Sequence, residues 1–169
     1  MWLQAGLHLR LVEARLGTGT LNALRRLPQV VGDKYATGAI DAATMELYGS
    51  SDPGFTVLGG DDTVISPLLA AAAHGGILAS ANVRTTDYTE LIELWRRDAT
   101  GPARGLGAEL ARLSAALFAE PNPTVLKGVS YAQGRISSPA VRLPLLAASA
   151  GSVRRAVVPA AARTQETAA

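Results

Sequence analysis

The 169-residue chain contains no cysteine, which excludes disulfides and thiolate metal sites. Aromatic residues make up 5% of it, too few for the stacking platforms that hold single-stranded nucleic acid. The net charge is +2, and the arginine pairs Arg25/Arg26, Arg96/Arg97 and Arg154/Arg155 are scattered along the chain. Nucleic-acid binding calls for a clustered basic stripe, so no such partner is expected. No run reaches the ~18 apolar residues of a membrane span. Residues 1–16 are mildly apolar but interrupted by His8, Arg10, Glu13 and Arg15, unlike the continuous apolar core of a signal peptide. The expectation is a cytoplasmic protein with no membrane partner. Lysine is scarce as well: of 16 basic residues only Lys34 and Lys127 are lysines. Drift toward Ala, Gly and Arg under GC-rich coding accounts for the depletion in general. A lysine that persists against it points to chemistry that arginine cannot supply.

What is present is a chain 48% hydrophobic, enough for one domain with a core. Helical spacing is expected over 20–27, stopped by Pro28. Val30-Val31-Gly32 reads as a short strand leading into Asp33 and Lys34, with a loop over 35–38 and a helix over 41–48. SSDPG at 50–54 is turn chemistry. A second strand over 55–58 runs into Gly59-Gly60-Asp61-Asp62, and a helix over 63–73 follows with Asp61 or Asp62 placed to cap it. His74-Gly75-Gly76 breaks that helix before a third strand over 77–81. Helices are expected over 88–97 and 109–118, separated by a break at 101–107. After a rigid Glu120-Pro121-Asn122-Pro123 turn they continue over 125–133 and 141–158, the last interrupted near Pro144 and Gly151. Short strands, apolar on nearly every residue and alternating with helices, signify a parallel sheet buried on both faces. The fold class is α/β.

Five stretches together resemble the dihydrodipicolinate synthase / N-acetylneuraminate lyase family. LPQVVGDKYATG at 27–38 is similar to its sixth strand and Schiff-base lysine. VLGGDD at 57–62 is similar to the end of the seventh strand, and HGGILASANV at 74–83 to the eighth. EPNPTVLK at 120–127 and RLPL at 142–145 agree in order and spacing. The resemblance implies a partial (β/α)8 TIM barrel, its last three β/α units, followed by C-terminal helices. It implies a class I lyase or aldolase that takes pyruvate or another 2-keto acid, without cofactor or metal. Lys34 would form the imine with the keto carbon. Gly60 would lie beside the bound keto acid, where a side chain would collide. Ile77 would flank the pyruvate methyl group with its backbone near the carboxylate. Asn82 and the turn at 120–123 look structural.

Three residues depart from the family pattern: Asp33 stands where an apolar residue is usual, Tyr35 where an acidic one is common, and Leu78 where a serine is usual. The family's Gly-Thr-Thr loop and tyrosine proton relay lie upstream of the matching region, and neither occurs in residues 1–29.

The residues support that chemistry on their own terms. A lysine attacks a carbonyl only as the neutral amine, which burial against apolar walls favours; arginine cannot lose its proton in the same way. Lys34 ends an apolar strand, on the end of a barrel where active sites sit. Strand alternation puts Val30, Gly32 and Lys34 on one face, Val31 and Asp33 on the other. Taken alone, a lysine at a strand end is ordinarily a solvated terminus, and Gly59-Gly60-Asp61-Asp62 is ordinarily a turn with a helix cap. Asp61 and Asp62 lack the further oxygen ligands a metal needs. His74 reads as structural, and Lys127 as a helix-surface charge.

The expected organisation is an unmatched segment at 1–19, the lyase portion over 20–155 and a flexible tail at 156–169. Three strands do not close a barrel, and two copies would give six without restoring it, so a complementing chain is one expectation; a homo-oligomer is expected only from the resemblance. A catalytically inactive half-barrel, either a pseudoenzyme or an interaction module, is the other. A flavodoxin-like sheet holding phosphate at Gly59-Gly60 accounts for fewer residues.

Overall fold

The computed structural model describes residues 17–49 and 54–161. They fall into two compact units, divided between Leu78 and Ala79. The boundary falls within the 20–155 stretch that the sequence presents as one domain.

The first unit is built on a three-stranded parallel sheet of β1 (Gly32–Tyr35), β2 (Thr56–Gly59) and β3 (Gly75–Gly76), in that order. Gly32 pairs with Thr56 and Lys34 with Leu58, while Leu58 and Gly59 pair with Gly75 and Gly76. The carbonyls of Val31 and Tyr35 accept from the amides of Thr56 and Gly60. By alternation, Val31, Asp33 and Tyr35 turn their backbone groups toward β2, and Gly32 and Lys34 turn theirs away from it. No strand among the described residues pairs on that outer side of β1.

Helices α1 (Thr18–Arg25), α2 (Ala42–Gly49) and α3 (Ile65–Ala70) accompany the sheet. Leu21, Val30, Tyr35, Tyr48, Phe55, Val57 and Leu68 form its core. The α1 helix stops short of Pro28, whose ring disfavours helical geometry in the residue before it. A reciprocal box opens α2: the Thr44 amide donates to Asp41 Oδ1 at 3.0 Å and the Asp41 amide to Thr44 Oγ1 at 3.1 Å. The helix expected over 63–73 is instead a 3₁₀ turn, Asp62–Val64, followed by the shorter α3. Pro67 explains this, because it lacks the amide that a helix begun at Thr63 would use to bond the Thr63 carbonyl. Neither Asp61 nor Val64, which precede these two elements, caps with its side chain.

The third strand sits two residues earlier than expected, at Gly75–Gly76, with His74 N bonding Val57 O and Ile77 N bonding Gly59 O, both at 2.9 Å. Close packing accounts for the glycines. A Cβ on Gly76 would stand 3.0 Å from Ile65 Cδ1, and one on Gly59 would stand 2.6 Å from the same atom. Residues 80–82, expected at the strand's end, form a 3₁₀ turn.

The second unit is helical: α4 (Thr85–Arg96), α5 (Thr100–Leu117), α6 (Thr124–Ala132) and α7 (Ala150–Ala161). The expected break at 101–107 is absent. Ala103, Leu106, Leu110, Leu113 and Leu117 form one buried stripe at helical spacing. Its burial outweighs the glycines' cost of about 1 kcal/mol each, and Pro102 lies in the first turn, where an amide has no helical partner. Gly128 lets α6 and α7 close, since a Cβ there would stand 2.5 Å from Val153 Cγ2. A buried pair, Tyr88 Oη and Ser114 Oγ at 2.7 Å, links α4 to α5.

Arg84, 6% exposed, bonds Asp87, Glu109 Oε1 at 2.5 Å and the Pro159 carbonyl at 3.1 Å, tying the start of α4 to α5 and α7. Glu120 accepts from the Ser149 amide and hydroxyl at the head of α7; those bonds and the one from Ser152 hold its carboxyl below the usual range. Residues 141–149 are not helical. The α7 helix instead runs through Ala161 with Ala156 and Ala160 buried, so 156–161 is packed helix where the sequence suggests a flexible tail. The rest of that tail, and residues 1–16 of the unmatched segment, lie outside the described residues. Lys127 lies on α6, where its ammonium donates to the Ala140 carbonyl.

Candidate active site

Lys34, Gly60 and Ile77 each lie toward the C-terminal ends of the three parallel strands, in the first unit, and of these Lys34 and Gly60 meet. Lys34 is the third residue of β1 and half-buried, level with Leu58 of β2. Gly60 directly follows β2, and its amide donates to the Tyr35 carbonyl at 2.7 Å. A Cβ on Gly60 would lie 2.6 Å from Ala36 Cβ, 2.8 Å from Lys34 Cε and 3.0 Å from Tyr35 O. The glycine therefore touches the lysine stem. Ile77 follows β3, 53% exposed, on the far side of β2 from Lys34. Its amide is engaged by the Gly59 carbonyl at 2.9 Å, so that donor is already committed within the sheet.

The opposite face of β1 packs toward the helices. Tyr35 is buried there, its hydroxyl 2.8 Å from Thr44 Oγ1 and its ring 5.8 Å from Tyr48 in an edge-on pair. Burial pushes the Asp33 carboxyl up, partly offset by a hydrogen bond from the Lys34 amide and by the Arg25 charge. Asp33 Oδ1 is buried without a hydrogen-bond partner. Burial also pushes the Tyr48 phenol well above its ordinary value, helped by the charges of Asp33, Tyr35 and Asp61. Arg25 lies over the Phe55 ring at 4.7 Å.

Asp61 does something the sequence does not announce. Its Oδ2 accepts from the Gly38 amide at 2.7 Å, joining the loop after β2 to the loop after β1. Gly38 has φ +74°, a left-handed conformation that favours glycine. His74 is structural, its Nδ1 accepting from the Val57 amide at 3.2 Å. Among the described residues no group of three or more His, Asp or Glu side chains could hold a metal, and no helix is long and apolar enough to cross a membrane.

Comparison with known proteins bears on this arrangement. The model of the dihydrodipicolinate synthetase family matches residues 10–160. The chain belongs to that family. The match begins inside the 1–19 segment that the sequence presents as unmatched. The chain is 35% identical over 127 residues to a 4-hydroxy-tetrahydrodipicolinate synthase of Pseudoalteromonas atlantica, covering 75% of this chain and 43% of that protein. It is 36% identical over 141 residues to that of Nitratidesulfovibrio vulgaris, covering 80% and 47%. Among solved structures, the Acinetobacter baumannii dihydrodipicolinate synthase complexed with pyruvate superimposes with a TM-score of 0.78 at 28% identity, covering 86% of this chain and 50% of that one. The Thermotoga maritima enzyme gives 0.74 at 29%, covering 82% and 47%. The chain thus spans about half the length of the dihydrodipicolinate synthases it matches.

Proposed function

We propose that the chain is the C-terminal part of a pyruvate-dependent lyase of the 4-hydroxy-tetrahydrodipicolinate synthase type, in which Lys34 forms a Schiff base with pyruvate or another 2-keto acid. The three parallel strands are read as the last three β/α units of a (β/α)8 barrel, with Lys34 at the strand end where such barrels carry their chemistry. The observation that carries the reading is the contact of Gly60 with Lys34 Cε. A side chain at that position would displace the lysine stem, so the glycine fits a lysine whose amine must be held in one place.

The neutral amine adds to the keto carbon, and the hydroxyl of the adduct takes up a proton and leaves as water, giving an iminium. The iminium then draws electrons from the methyl carbon, a proton leaves, and the enamine attacks an aldehyde; the reverse cleaves a carbon–carbon bond. Both directions need a proton carrier. Tyr35 is turned to the helix face and bonded to Thr44, so the relay and the grip on the second substrate fall to groups beyond the described residues, on a companion chain, a second copy or a further part of the barrel. Ile77 would border the methyl group with its exposed side chain, its amide being bonded to the Gly59 carbonyl. A cytoplasmic, cofactor-independent enzyme accords with this chemistry.

The second reading, a catalytically inactive half-barrel, draws on the hydroxyl beside Lys34 in sequence, that of Tyr35, being turned to the helix face and bonded to Thr44. Incubation with pyruvate, reduction with borohydride and peptide mass spectrometry separates the two. A reduced adduct on Lys34, absent from Lys34→Arg, supports the enzyme; a folded chain that acquires none is the inactive form.

A further inference from the structure

We infer that Asp61 is a positioning residue for Lys34: its carboxylate, by holding the Gly38 amide, fixes the segment 34–38 and with it the direction of the lysine side chain. This rests on the Schiff-base reading. Two hydrogen bonds join the segment that follows Lys34 to the one that follows β2. The Gly60 amide takes the Tyr35 carbonyl and Asp61 takes the Gly38 amide, each at 2.7 Å. Between these points lie Ala36 and Thr37, and Ala36 is the residue that Gly60 would strike if it carried a Cβ.

The loop is therefore clamped at both ends against the neighbour that also touches Lys34. A bond from a neutral amide to an ionised carboxylate is among the stronger ones available to a half-exposed loop. It also holds Gly38 at a φ that is not its sole preference. Beyond Gly38, Asp41 and Thr44 start α2, and Thr44 grips the Tyr35 hydroxyl on the other face of the strand. The strand end is thus held on its helix face by Thr44 and on its loop side by Asp61. The second hold is a side chain from the neighbouring strand's loop, and it extends past the strand ends the register that the β1–β2 pairing and the Gly60–Tyr35 bond set.

The experiment compares reductive trapping of pyruvate in the full chain with Asp61→Ala and Asp61→Asn, as a function of pyruvate concentration. The alanine variant is expected to lose about ten- to a hundredfold in trapping rate at saturating pyruvate, the scale of an ångström-sized misplacement, with its thermal midpoint little changed. The asparagine variant keeps an acceptor for the Gly38 amide and is expected within about threefold of the parent. Exchange of the Gly38 amide should quicken in the alanine chain alone. An alanine variant that traps as fast as the parent overturns the inference while leaving Lys34 its role. So does an asparagine variant that falls as far as alanine, since charge and not the bond would then be the cause. If the alanine chain fails to fold, Asp61→Ser, too short to reach Gly38, replaces it in the same comparison. No adduct in the folded parent removes the Schiff-base reading and this inference together.

Discussion

Replacing Gly60 with alanine puts a methyl carbon 2.6 Å from Ala36 Cβ, 2.8 Å from Lys34 Cε and 3.0 Å from the Tyr35 carbonyl oxygen. The first and third neighbours are fixed to backbone and cannot rotate away; the second is the far part of a flexible side chain. Relief at Ala36 and Tyr35 must come from parting β1 and β2 at their C-terminal ends, an overpacking cost of about 1–3 kcal/mol. With a urea slope of ~2 kcal/mol/M this lowers the midpoint by roughly 1 M. Relief at Lys34 comes from moving Cε. Ordinary contact begins at 3.4 Å, so the lysine retreats by about 0.6 Å and pyruvate trapping slows by roughly tenfold.

Urea unfolding followed by circular dichroism measures the first effect, with hydrogen exchange at the β1–β2 amides assigning it to the sheet. Borohydride trapping measures the second. Adding Ala36→Gly separates them, because it removes the 2.6 Å clash and restores most of the stability, leaving the milder approach to the Tyr35 carbonyl and the displaced lysine. A Gly60→Ala chain with unchanged midpoint and unchanged trapping would refute the reasoning. So would a double variant in which both recover.

Two further outcomes follow from the structure. Arg84→Leu should cost about 3 kcal/mol, because Asp87 and Glu109 lose a buried cation and the Pro159 carbonyl loses its donor; differential unfolding of α4, α5 and α7, read by amide exchange, tests it. Asp33→Asn should stabilise the chain at neutral pH. Burial raises the folded carboxyl above its ordinary value of 3.8, so the folded state binds its proton more tightly than the unfolded one. Stability is then greatest below 3.8 and declines as pH rises through the folded value. The asparagine variant should lack that decline, and parallel melts from pH 3 to 7 in which the two chains keep a constant offset would count against it.

The parallel α/β character was legible because three short apolar runs alternate with helical spacing. The contact of Lys34 with Gly60 agrees with the register of β1 on β2, which the order of the stretches around them already suggests. What could not be read were effects of packing. The glycines at 101, 105 and 107 look like a break until the leucine stripe that passes through them is seen buried. Gly75 and Gly76 look like a breaker because nothing local shows that Ile65 presses against the second of them. Asp61 looks like a helix cap because its partner, Gly38, is 23 positions away. Val30 shares the core with Tyr35, although alternation would put it on the Lys34 face, because it precedes β1.

The outer flank of β1 presents the Gly32 and Lys34 amides to no strand among the described residues. A flank of this kind is a template on which another molecule can lay its own backbone, and a charged group set against it is a known deterrent. Asp33 occupies the Lys34 amide with its own carboxylate. The same carboxylate that weakens the folded chain at neutral pH therefore leaves that flank one backbone donor fewer for another strand to take.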